Sequence, residues 1–86
     1  MIHPKLKICG ITQLEQGVAI AEMGVDALGF VLYPESPRYI EPLKIRKIIQ
    51  QLPPFTKTVG VFVNEPVEVI ESVMNTTGLD LVQLSG

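Results

Sequence analysis

Four short, almost continuously apolar runs, residues 6–9, 27–32, 58–63 and 81–84, alternate with amphipathic stretches, and this alternation limits the fold more than anything else in the chain. Val, Ile, Leu and Phe dominate the runs, as in strands covered on both faces, which is the mark of a parallel sheet. The intervening stretches carry helical spacing. In the first, Thr12 and Glu15 read as a capping box, T-Q-L-E, ahead of Leu14, Val18, Ala19 and Ala21, and Gly24 stands where a helix should end. In the second, Pro42 suits the first helical position, Ile45, Ile48, Ile49 and Leu52 form one stripe, and Pro53-Pro54 stops it. In the third, Asn64 or Glu65 precedes Pro66, the apolar face is Val67, Ile70, Val73 and Met74, and Gly78 closes it. G-V-D-A-L at 24–28 is echoed by G-L-D-L-V at 78–82, two units further on. The echo reports either a repeated β/α unit or a turn that suits this junction twice; both fit a parallel sheet.

The expectation is therefore an α/β chain with four parallel strands and three helices in strict alternation. Such a chain forms an open doubly wound sheet or part of a closed barrel. No G-x-G-x-x-G or G-x-x-x-x-G-K-[ST] follows a strand, which removes the usual nucleotide-binding doubly wound families. Strand parity favours the barrel. Lys7 and Cys9 share one face of their strand, opposite Leu6 and Ile8, and Gln83 and Ser85 share one face of theirs, opposite Val82 and Leu84. Helices should cover the apolar faces, so the polar residues point inward, with Cys9 and Ser85 at the carboxyl ends where barrel active sites lie.

Composition narrows the function. Eighty-six residues suit a single domain, residues 1–86, and 47% hydrophobic with 19% charged residues excludes disorder and a coiled coil. A net charge of -2 with 6% aromatics argues against a nucleic-acid partner. No apolar run approaches the ~18 residues of a membrane helix, and residues 1–10 do not read as a signal peptide. One Cys and one His cannot build a disulfide or a structural zinc site. A cytoplasmic chain without a metal is expected.

Few residues could carry chemistry. Cys9, before Gly10 and a helix, reads either as a small core residue or as a reactive thiol. The Lys7 ammonium on the same face and a nearby helix N-terminus would favour the thiolate, which suits a general base or nucleophile. Lys7 is either a solvated strand residue or an inward, substrate-binding cation. Arg38, in the proline-braced loop Y-P-E-S-P-R-Y, is either an ordinary surface residue or a fork for a carboxylate or phosphate. Asp26 and Asp80 precede their strands at the other end and read as turn formers. His3 reads as a solvated residue of the N-terminal arm, and Asn75-Thr76-Thr77 as a helix end rather than a glycosylation site.

K-I-C-G-I-T at 7–12, G-V-D-A-L-G-F at 24–30, Y-P-E-S-P-R-Y at 33–39, V-G-V-F-V-N-E-P at 59–66 and G-L-D-L-V-Q-L at 78–84 together resemble the phosphoribosylanthranilate isomerase family, in order and spacing over nearly the whole chain. The resemblance implies the N-terminal half of a TIM (β/α)8 barrel acting in tryptophan biosynthesis. The implied reaction is the Amadori rearrangement of N-(5-phosphoribosyl)anthranilate to 1-(2-carboxyphenylamino)-1-deoxyribulose 5-phosphate, with no cofactor. Cys9 matches the family's general base and Arg38 its substrate-anchoring arginine. Ser85 replaces the histidine the family carries before Gly86, so it takes that substrate-binding position. The family's general-acid aspartate and phosphate-binding loops follow later strands, and barrels of this kind need at least ~200 residues. The chain alone is therefore expected to be inactive. A non-catalytic half-barrel folding or assembly module is the alternative reading. Either way, homo-oligomer formation through exposed strand edges is expected.

Overall fold

A computed structural model describes residues 6–85, so the reading of His3 lies outside the described residues. Each apolar run becomes a strand and each amphipathic stretch a helix: β1 (Lys7–Cys9), α1 (Leu14–Glu22), β2 (Ala27–Val31), α2 (Pro42–Ile49), β3 (Lys57–Val63), α3 (Val67–Thr77) and β4 (Leu81–Ser85). All strand pairs are parallel, and the sheet order is β1-β2-β3-β4. Crossovers between parallel strands are right-handed, so a sequential order puts every helix on the same side of the sheet. α2 accordingly packs between α1 and α3.

The even-numbered strand residues face that helical layer. Leu28, Phe30 and Phe62 are buried there against Ile11, Ala21, Ile45 and Ile48. The odd-numbered residues form rows on the other face: Lys7, Ala27 and Lys57; then Cys9, Gly29, Val59 and Leu81; then Val31, Val61 and Gln83; then Val63 and Ser85. The parity expected from the sequence is the parity observed. At the end of the sheet, no described element covers the helix-side residues Val82 and Leu84, which are 42% and 71% exposed. No helix among the described residues is long and apolar enough to cross a membrane.

Two helix boundaries differ from expectation. The Thr12–Glu15 capping box does not form. The Gly29 carbonyl accepts the Gly10 and Ile11 N–H groups at 3.0 and 3.3 Å, and Ile11 is sunk in the core. This anchoring keeps the chain extended through Gln13, and α1 starts only at Leu14. Gln16 Oε1 reaches back to accept the Thr12 N–H at 3.2 Å in place of the expected cap. α2 ends at Ile49 rather than at Leu52, because the last amides tighten into three-residue turns, Gln51 to Ile48 and Leu52 to Ile49. Leu52 still packs on the core. Pro42 opens α2 as expected, while Gly24 (φ +88°) after α1 and Gly78 (φ +83°) after α3 take the left-handed conformation.

The two aspartates do more than turn the chain. Asp26 Oδ2 accepts the Leu6 N–H at 2.7 Å, while the Asp26 N–H returns a bond to Leu6 at 2.9 Å, so the residue before β2 clips the start of β1. Asp80 does the same to β3. Its Oδ2 accepts the Thr58 N–H at 2.8 Å and the Thr58 hydroxyl at 3.0 Å, and its N–H donates to the Thr58 carbonyl at 3.1 Å. The sequence echo thus encodes a clip for two of the three strand pairs, β1 with β2 and β3 with β4. Thr58 is only 2% exposed, so Asp80→Ala leaves a buried amide and hydroxyl without that acceptor. Urea denaturation should show a loss of about 1–3 kcal/mol for it, and a smaller loss for Asp26→Ala, whose bond is exposed. Equal losses would contradict this account of the clips.

Candidate active site at the carboxyl ends of the strands

The carboxyl end of β1 brings together residues that are distant in sequence. Cys9, an exposed free thiol, pairs in register with Gly29 of β2. Gly10 follows with φ +86°, where a side chain would be strained. A β-carbon there would lie 2.7 Å from Arg38 Cδ and 3.4 Å from its Nε and Nη1, so the arginine lies over the backbone just beyond Cys9.

Hydrogen bonds within the loop set that position. The Ser36 N–H donates to the Tyr33 carbonyl at 3.0 Å and the Tyr39 N–H to the Ser36 carbonyl at 3.1 Å. The Arg38 N–H donates to Ser36 Oγ at 3.1 Å. Buried Ile40 then ties the loop back to Val31 through a 3.1 Å bond. The Tyr33 hydroxyl donates to Glu35 on the solvent side.

Lys7 lies on the face of Cys9, as expected, but one row nearer the amino ends. Its ammonium donates to Gln83 Oε1, reaching from β1 to β4 across the concave side of the sheet. It is therefore engaged with Gln83. The helix N-terminus expected beside Cys9 is also displaced, since α1 begins at Leu14. Ser85 ends β4 opposite Val63, exposed, and borders a cavity of about 340 Å³ with Asn64, Glu65 and Ile70. It shares the carboxyl rim with Cys9 and Arg38, but no hydrogen bond among the described residues joins it to either. Among the described residues, no three His, Cys, Asp or Glu side chains gather into a metal cluster.

A cavity of about 600 Å³ opens toward the amino ends of the same face, and Lys7 and Gln83 lie along its wall with Asp26, Phe55, Lys57 and Leu81. Reactive side chains in β/α barrels come from the carboxyl ends and the loops that follow them, and this chain carries Cys9 and Arg38 at those ends.

Gly10 and Gly29 were not candidates from sequence, and Gln83 was expected on the inward face but not as the partner of Lys7. Gly29 had a signal, since an isolated glycine inside an apolar strand marks a close approach. Gln83 had only its inward parity.

One helical face, sequential parallel strands and an arginine over the residue after the thiol place the chain among β/α-barrel proteins. The family model for N-(5'phosphoribosyl)anthranilate (PRA) isomerase matches residues 6–86, and the chain belongs to that family. It is 51% identical over 82 residues to the N-(5'-phosphoribosyl)anthranilate isomerase of Syntrophus aciditrophicus, covering 95% of this chain and 36% of that protein. It is 54% identical to the isomerase of Gloeothece citriformis, covering 95% and 37%. Among solved structures, it superimposes with a TM-score of 0.92 and 48% identity on monomers generated from the dimeric isomerase of Thermotoga maritima, covering 98% of this chain and 42% of that one. A phosphoribosylanthranilate isomerase in complex with reduced 1-(o-carboxyphenylamino)-1-deoxyribulose 5-phosphate matches with a TM-score of 0.89 and 51% identity, covering 95% and 42%. The chain thus spans about two-fifths of the length of these relatives.

The loop offers a direct test. The hydrogen bond to Glu35, and then the charge of that carboxylate, push the Tyr33 phenol above its ordinary value of 10.0. NMR titration should place the Tyr33 midpoint above 10.0, and Glu35→Gln, which removes the carboxylate charge, should bring it down. A midpoint indifferent to that substitution would contradict the observed pairing.

Proposed function

We propose that this chain supplies the base and the substrate anchor of a phosphoribosylanthranilate isomerase, as a single N-terminal segment, residues 1–86, of the barrel. The observation that supports it most is the placement of Arg38 over Gly10, directly beyond Cys9. In this reading Arg38 holds the anthranilate carboxylate through its paired N–H groups. An acid protonates the furanose oxygen, and the ring opens to a protonated Schiff base. Cys9, as the base, then removes the C2′ proton onto its sulfur. The electron pair of the broken C–H bond forms the C1′=C2′ bond, the C1′=N pair returns to nitrogen, and the resulting enol tautomerises to the ketose. Lys7 and Ser85 are proposed as substrate-binding residues, with Lys7 acting from the row below through its contact with Gln83. The acid of the ring-opening step is supplied by strands beyond β4.

The purified 86-residue chain should show no isomerisation, and activity should appear when it is joined to the remaining β/α units of a relative. In that assembled enzyme Cys9→Ala should lower kcat at least about 100-fold. Arg38→Ala should raise KM about tenfold or more, the worth of a charge-assisted bond, with a smaller effect on kcat. Full activity of Cys9→Ala would refute the base assignment. Turnover by the isolated chain would refute the need for later strands.

The exposed strands β1 and β4 and the uncovered Val82 and Leu84 support a second element of the proposal, self-association of this chain through its sheet edges. Light scattering should then give a mass of at least two chains, and a monomer at all concentrations would refute it. An assembly module without catalysis is the reading left if the chain associates with the remaining units and no activity appears.

A further inference from the structure

Cys9 and Gly29 are direct partners across β1 and β2. A β-carbon on Gly29 would lie 2.6 Å from Cys9 Sγ and 3.2 Å from both Cα and Cβ of Cys9, so the sulfur occupies the space that a side chain at 29 would fill. The backbone does not call for glycine here. The left-handed glycines are Gly10, Gly24 and Gly78, and Gly29 is not among them. Glycine inside a strand weakens it, so its presence at 29 needs a local reason, and the thiol provides one. Gly29 also holds the turn that follows Cys9, since its carbonyl accepts the Gly10 and Ile11 amides. One residue thereby sets both the thiol and the backbone on which Arg38 lies.

We infer that Gly29 is a positioning residue for the proposed isomerase reaction, acting through Cys9: the absent side chain is the seat that holds the thiol on the concave face at the carboxyl rim. The positioning role rests on the proposed reading of Cys9 as the base, while the contact itself does not. A methyl group at 29 forces the sulfur into another staggered rotamer and so moves it out of line with the proton it must take, where misplacement by about 1 Å is costly to rate.

A double-mutant cycle in the 86-residue chain tests the seat. Gly29→Ala should lower the urea midpoint, and at least half of that loss should vanish when Cys9→Ala has removed the sulfur. Folding of Gly29→Ala only in the Cys9→Ala background would give the same support. An equal loss in both backgrounds, or failure to fold in both, would overturn the seat. Gly17→Ala is the control, because its β-carbon would press on Ile48 and Ile11 at 3.1 and 3.3 Å, away from the thiol. Its loss should be the same with and without Cys9.

In the assembled isomerase Gly29→Ala should lower kcat at least tenfold with KM within threefold, and Gly17→Ala should leave both within threefold. An unchanged kcat for Gly29→Ala would overturn the positioning role. Full activity of Cys9→Ala would overturn the base assignment, and the positioning role with it, while the stability cycle would still report whether sulfur and glycine are coupled.

Discussion

A parallel sheet whose strands follow one another in chain order can have its right-handed crossovers on one side only. β1, β2, β3 and β4 obey that order, so α1, α2 and α3 form one layer, and among the described residues the other face of the sheet carries no helix. The apolar side chains that drive folding must then sit at even positions, as Leu28, Phe30 and Phe62 do. The odd positions face away from that layer and, beside apolar residues such as Val59 and Val61, hold Lys7, Cys9, Gln83 and Ser85. An open doubly wound sheet, with helices on both faces, would have no place for such a polar set. The chemistry of the chain therefore depends on the handedness and order of its crossovers.

Short polar devices then act at both ends of the sheet beside the apolar core. At the amino ends, Asp26 and Asp80 each clip the preceding strand of their pair, closing amides that would otherwise lie open. At the carboxyl ends, glycines let backbone and side chains approach closely: Gly29 under the thiol and Gly10 under Arg38. The amino end fixes register, and the carboxyl end makes room. This division matches the separation of stability and activity between the two faces of β/α barrels.

The strands and the parity of Lys7, Cys9, Gln83 and Ser85 were legible because a period of two shows in five residues. The start of α1 was not. T-Q-L-E is a sound local signal, but the burial of Ile11 and the bonds to the Gly29 carbonyl, a contact across the sheet, override it. The length of α2 was overread for a similar reason, since Leu52 joins the core from a tight turn as well as it would from a helix. Cys9 and Arg38 could be named singly from residue type and motif. Their juxtaposition could not, because it passes through Gly10, which has no side chain to announce it. Lys7 was placed on the right face, but its partner Gln83 lies 76 residues away, beyond the reach of any local pattern.

The proposed site lies at the carboxyl ends of the strands, although a cavity of about 600 Å³ opens toward the amino ends. Titration of anthranilate into the isotopically labelled chain, followed by amide and side-chain NMR shifts, tests it most directly. Perturbations should centre on Cys9, Gly10 and Arg38 and disappear in Arg38→Ala. Perturbations centred instead on Phe55, Lys57 and Leu81, unaffected by that substitution, would contradict it.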